Sequence, residues 1–231
     1  MNLENSTPTA HPAQRLLRSQ GVTAPEGFRA AGIAAGIKAS GKPDLALVFN
    51  EGPDYAAAGV FTRNQVKAAP VLWSQQVLGT GRLRTVILNS GGANACTGPE
   101  GMQAAKEMAQ LAATALNCAT HTIFVGSTGV IGQPLPIACI REALPALAAR
   151  LTRRGGSEAA SAIMTTDLKP KQVAVRAQLG GKMVTVGGMA KGSGMIHPNM
   201  ATMLGYLTTD AAIGQRALQS ALRQAVDQSF N

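Results

Sequence analysis

Short apolar runs, each broken by glycine or proline, alternate with two longer stretches of helical periodicity, and that order admits few architectures. Phe28 to Ile37, Leu45 to Phe49, Ala57 to Phe61, Thr85 to Leu88 and His121 to Val125 suit strands better than packed helices. Helical periodicity fills 99–117, with Pro99 suited to a first turn and Thr97 a candidate cap. A second helix is expected over 136–151, where Pro145 is placed to kink it. Val173 to Ala177 and Met183 to Val186 read as a hairpin about Gly180 and Gly181. Residues 187–200 read as irregular, Met203 to Leu207 as another apolar run, and a last helix starts near Gly214. Elements in this order fit mixed α/β layers.

Composition narrows the class. Only 14% of residues are charged, which argues against disorder along most of the chain, apart from a loose tail over residues 1–12. Aromatics make up 3% against 26 glycines, so the core should consist of small aliphatic side chains between close-set backbones. The net charge of +9 raises the question of nucleic acid. The basic residues are scattered, however, the tightest groups being Arg15/Arg18, Arg82/Arg84 and Arg153/Arg154, and none is interleaved with aromatics. A solvated basic surface, or a charge balanced by an acidic part of a longer protein, explains it better. Cys96, Cys118 and Cys139 form no CxxC or Cys/His pattern, so free buried thiols in a reducing compartment are expected. No 18-residue apolar run and no basic-then-apolar leader is present, which points to a cytoplasmic protein with neither membrane nor nucleic-acid partner.

Three segments put glycines and hydroxyls where neither helix nor strand needs them. Gly126 to Pro134 (GSTGVIGQP) has glycines at three-residue spacing, which weakly suggests a dinucleotide turn; the acidic residue that reading wants falls in the wrong context at Glu142 and Glu158. A plain strand-to-helix turn or an oxyanion cradle, a Gly N–H beside a Thr hydroxyl, are the other readings. Val186 to Met195 (VGGMAKGSGM) lacks the Gly-Lys-Ser/Thr order of a phosphate loop; Lys191 is either an exposed loop residue or a partner for a carboxylate. In His197 to Ala211, Thr202 opens an apolar run and would ordinarily be structural. His197, Thr202 and Asp210 could be drawn as a triad, but closeness in sequence is no evidence for one, and His11 and His121 offer no better.

Taken in order, seven strings resemble the ornithine acetyltransferase (bifunctional arginine-biosynthesis) family. They are APEGFRAAGIAAGIK at 24–38, DLALVF at 44–49, GVFTRNQVKAAPV at 59–71, LNSGGANACTG at 88–98, GSTGVIG at 126–132, MTTDLKPK at 164–171 and GGMAKGSGMIHPNMATML at 187–204. The resemblance implies an α/β fold, a layered α-β-β-α sandwich incomplete in this chain. It also implies a precursor that cuts itself between Ala201 and Thr202. On that view residues 13–201 form an α-chain-like domain and 202–231 begin a β chain, with two of each in the assembled enzyme.

The resemblance further implies that Thr202, once N-terminal, takes acetyl from N-acetylornithine and passes it to glutamate, with acetyl-CoA an alternative donor in some members. Thr128 and Gly129 would stabilise the oxyanion, while Thr165 and Lys191, together with Thr202, would bind substrate. No metal or organic cofactor is implied. Family members are longer than this chain, which ends 30 residues after the expected scission, so apolar surface that the remainder would cover is expected to be exposed. An N-terminal-nucleophile amidohydrolase, with water as acceptor, and a non-catalytic fragment are the competing readings.

Overall fold

A computed structural model describes residues 14–17, 20–193 and 203–230. Two four-stranded sheets dominate them. One is built from β2 (Phe28–Ile33), β3 (Leu45–Asn50), β4 (Thr85–Gly92) and β5 (Ile123–Val130), in that order. The other runs β1 (Gln14–Leu17), β6 (Lys171–Leu179), β7 (Lys182–Lys191), β8 (Leu204–Thr209). Every pairing is antiparallel except β4 with β5, which are joined by the crossover helix α2 (Gly98–Ala115).

Strand alternation sends each face of the first sheet into its own core. Ala31, Leu45, Leu47, Ile87, Ile123 and Val125 point to one side. There they meet α1 (Ala69–Leu78), α2 and α3 (Ile137–Ala149) through Trp73, Met108, Ile140, Leu144 and Leu147. The opposite face presents Ala30, Ala46, Val48 and Leu88 to the short helix α4 (Gly156–Ala162) and to Met189 and Tyr206 of the second sheet. The order of layers is therefore helices, sheet, sheet, as mixed α/β layering predicts. The outer face of the second sheet carries Leu16, Val173, Val186 and Leu207, each exposed by more than 40%. That matches the expectation of bare apolar surface.

β5 is an edge strand, and its polar backbone needs cover. Helix α1 supplies it. The Trp73 indole donates to the Ile123 carbonyl (3.0 Å), and the Ser74 hydroxyl donates to the Val125 carbonyl (2.7 Å) while accepting the Val125 N–H (3.0 Å). Sequence periodicity gives no hint of α1, because Trp73, Ser74 and Val77 are all buried between the strand and the core.

Several expectations need correction. Phe28 to Ile37 stops being strand at Ile33, because the buried Asp44 carboxylate captures the N–H groups of Ala35 and Lys38 and turns the chain. Ala57 to Phe61 is not a strand. Beside it only an isolated bridge between Ala56 and Arg82 forms, since the edges of the first sheet are β2 and β5. Thr97 precedes α2 as expected but does not cap it, its hydroxyl donating instead to Asn94 Oδ1. The thiols are free but not buried: Cys96 is exposed, and Cys118 and Cys139 are half-buried. The hairpin is longer than expected, spanning β6 and β7 about Gly180 and Gly181, both at positive φ as a tight primed turn requires. The final helix, α5 (Gln215–Asp227), follows Gly214 as expected.

Replacing Ser74 with Ala strands both polar groups of Val125 in a buried place. Ser74→Ala should lower unfolding free energy by roughly 1–3 kcal/mol, read by urea titration, with secondary structure retained.

Candidate active site

The Gly126–Pro134 segment is not a turn after a strand. β5 continues through Gly126, Ser127, Thr128 and Gly129 to Val130, paired in parallel with the glycine-rich end of β4. Near Gly91 and Gly92 the register slips, a bulge of the kind that re-aims side chains at a site. Gly129 sits at φ +133°, and a Cβ there would run into the backbone of Gly91 and Gly92. Only glycine lets the two strand ends approach this closely. The dinucleotide reading fails, since Gly126 and Gly129 lie inside a strand and the next helix, α3, starts only at Ile137.

Lys191 ends β7, its side chain in the space between the sheets, and only 8% of the residue is exposed. Its ammonium donates to Thr165 Oγ1 (2.6 Å) and to Thr128 Oγ1 (3.1 Å). Three of the residues singled out from sequence therefore meet at one cation, although 63 positions separate the outermost pair. Both hydroxyls spend a lone pair on the ammonium, so each keeps its own proton to donate to an incoming ligand. Burial holds the Lys191 pKa below the ordinary lysine value; Asp167 pulls it up and Lys171 pushes it further down.

Asp167 organises the surroundings, and sequence reasoning gave it no role. Its Oδ2 accepts the Thr165 N–H (3.2 Å), and its Oδ1 accepts the Gly192 N–H (2.9 Å) and the Lys171 ammonium (2.6 Å). It thereby fixes the backbone beside two ligands of the cluster, Thr165 and Lys191. Burial alone would raise its pKa, but the Lys171 hydrogen bond and the N–H groups of Gly192 and Thr165 outweigh that and bring it down to about 2. The four-residue spacing to Lys171, within the MTTDLKPK string, was the available signal.

Ala201, Thr202 and His197 lie outside the described residues, as do His11 and residues 194–200. Asp210 is a backbone clip. Its carboxylate accepts the N–H groups of Thr185 and Glu26, at the end of β8 away from Lys191. His121 is exposed in the turn before β5. No helix among the described residues is long and apolar enough to cross a membrane.

A buried cation shared by two hydroxyls at the end of a glycine-gated strand suits a ligand that is, or becomes, negatively charged. Against known proteins, residues 29–231 match the ArgJ family model, and the chain belongs to that family. It is 63% identical over 228 residues to the arginine biosynthesis bifunctional protein ArgJ of Mycolicibacterium paratuberculosis, covering 95% of this chain and 55% of that protein. The ArgJ of Mycobacterium tuberculosis H37Rv is 61% identical over 226 residues, 94% of this chain and 55% of that protein. The crystal structure of the M. tuberculosis ornithine acetyltransferase complexed with ornithine superposes with a TM-score of 0.77 at 59% identity. It covers 83% of this chain and 100% of that one. The chain thus spans about half the length of the curated relatives it matches.

The depressed Asp167 pKa makes stability pH-dependent at the acid end. Above the unfolded value near ~3.9 the carboxylate is ionised in both states and its contribution is complete. As pH falls towards 2 the unfolded chain binds the proton first and the contribution disappears. Thermal midpoints measured between pH 5 and about 2 should fall less steeply in Asp167→Asn than in the parent chain.

Proposed function

We propose that this protein is a self-processing acetyltransferase of arginine biosynthesis that moves acetyl from N-acetylornithine to glutamate through an ester on Thr202. The observation carrying the reading is the Lys191 ammonium held between Thr128 and Thr165. Chain connectivity supplies a second support. Leu204 is the register partner of Lys191, and Thr202 precedes Leu204 by two residues, at most ~7 Å of extended chain. On this reading the nucleophile belongs to the segment that leads into Leu204, the partner of Lys191.

Activation begins when the Thr202 hydroxyl attacks the Ala201 carbonyl. The peptide C–N bond breaks, an ester forms, and water hydrolyses it to leave the Ala201 carboxylate and a free Thr202 amine. That amine titrates near ~7.7–8.0, so it can take the proton of its own hydroxyl at working pH, which an amide nitrogen cannot do. The oxygen then adds to the acetyl carbonyl of N-acetylornithine. Thr128 and Gly129 donate to the resulting oxyanion, the C–N bond breaks, and the proton passes to the departing ornithine amine. Attack by the glutamate amine on acetyl-Thr202 completes the cycle.

Lys191 and Thr165 bind substrate in this scheme. Lys171 and Lys191 stand around Asp167, so the described residues leave a surplus of positive charge there, suited to carboxylate ligands. A structural match supports processing as well. The M. tuberculosis crystal chain is matched in full by 83% of these 231 residues, about 192, whereas the ArgJ of that organism is matched over only 55% of its length. A short chain of that size is what scission near residue 201 would leave. Residues 13–201 then act as the α chain and 202–231 as the start of the β chain, in a cytoplasmic assembly of two α and two β chains that needs no organic cofactor or metal. Acetyl-CoA remains an additional donor to assay.

Expressed at full length, the protein should resolve into two chains by intact mass, the second beginning at Thr202, and Thr202→Ala should stay whole. Ornithine release should be matched by acetylglutamate; release without it would favour the hydrolase. On the processed enzyme, Thr128→Val should lower kcat by about 10²–10³, the loss typical of one oxyanion donor. Full turnover with the 201–202 bond intact in every molecule would overturn the mechanism.

A further inference from the structure

Lys38 belongs to none of the roles above, yet it touches both halves of the cluster. Its stem lies over Gly91, where an added Cβ would meet Lys38 Cγ at 3.1 Å, and Gly91 is the backbone against which Gly129 packs. Its ammonium reaches the other way, donating to the Pro43 carbonyl (2.8 Å) and, across 126 residues of sequence, to the Met164 carbonyl (2.7 Å). Met164 precedes Thr165, whose hydroxyl accepts from Lys191.

The base of this strut is Asp44, which is fully buried. Its carboxylate accepts the N–H of Ala35 (2.6 Å) and of Lys38 itself (2.8 Å), and its own carbonyl accepts the Ser90 N–H. The backbone that carries Lys38 is thus fixed to the first sheet before the side chain spans the gap. Burial lowers the Lys38 pKa; Asp44 and, more weakly, Asp167 pull it up, while Lys42 and Lys191 push it down. A charge placed half-buried beside another lysine is costly unless its hydrogen bonds hold something in place.

We propose that Lys38 is a positioning residue: anchored through Asp44, its ammonium holds the Met164–Thr165 turn so that the Thr165 hydroxyl stays on Lys191. The proposal rests on the acetyltransferase reading for its kinetic consequence, but not for its structural one. Its two contacts are separable. Methionine keeps the stem over Gly91 and loses the ammonium, so Lys38→Met should disturb substrate binding and spare the oxyanion side. Alanine loses both.

The test uses the full-length protein with Lys38→Met, Lys38→Ala, Lys38→Arg and, as a control for charge alone, Lys42→Met. Deuterium uptake at 163–167 and 190–193 should rise in Lys38→Met and not in Lys42→Met. KM for N-acetylornithine should rise about tenfold in Lys38→Met with kcat within about twofold, the scale of one charge-assisted hydrogen bond. Lys38→Ala should lower kcat as well, and Lys38→Arg, which can still donate to a carbonyl, should recover most of the KM. A raised KM with unchanged uptake at 163–167 would mean that Lys38 touches substrate directly, and would overturn the proposal. So would unchanged uptake in a protein that shows no transfer at all, whereas raised uptake there would sustain the strut while the acetyltransferase reading fell.

Discussion

A buried ammonium needs partners, and the way Lys191 finds them ties the molecule together. Its strand belongs to one sheet, Thr128 belongs to the edge strand of the other, and Thr165 lies on the connection from α4 to β6. Three remote segments must be in place before that charge is satisfied. Asp167 extends the demand by fixing the N–H groups on either side of the cluster and pairing with Lys171. The site is therefore a product of the tertiary fold, and local propensity contributes little to it. Such arrangements are rigid when every member is satisfied and expensive when one is missing.

Packing on either side of the first sheet makes the arrangement possible. Its helix-facing core is large and aliphatic, and α1 seals the exposed edge of β5 through Trp73 and Ser74. The opposite side is thin, filled by alanines of α4, by Met189 and by the ring of Tyr206, which meets Phe124 edge-on and rests on Gly126. Small residues there bring the second sheet close enough for one lysine side chain to bridge the gap. The low aromatic content and the many glycines serve this close approach, and the strand end at Gly129 is its tightest point.

Much of this order was legible in the residues, and the failures have physical causes. Periodicity found α2 and α3 because each has one buried and one exposed face, and it found α5 although Val226 is the one residue of that helix that is buried. It missed α1, which is buried on most sides and opens with Pro70, and α4, which is too short and alanine-rich to show a period. It ended β5 at Val125 because GSTG has poor strand propensity; pairing with β4 overrides that preference. It drew a strand over Ala57 to Phe61 because apolar residues cannot announce that no partner edge is free. For the site, spacing alone left Lys191 and Thr128 ambiguous, and only the resemblance to a family singled out Thr165. Lys38 went unassigned because the Met164 carbonyl it holds is 126 residues away, and Asp167 because its local pairing with Lys171 does not announce the Gly192 N–H 25 residues on.

The antiparallel pairing of β7 with β8 adds one constraint that side-chain chemistry does not. Lys191 and Leu204 are partners, so both ends of the 192–203 connection lie at the same end of the sheet, beside the Thr128 and Thr165 hydroxyls. On the proposed reading, scission between 201 and 202 would fall inside the connection between two strands already paired, ten residues after Lys191 and two before Leu204. The hydrogen bonds of β7 with β8 do not depend on the connecting peptide, so breaking it need not separate the strands. On that reading the second chain would begin two residues before a strand already paired beside the Thr128 and Thr165 hydroxyls.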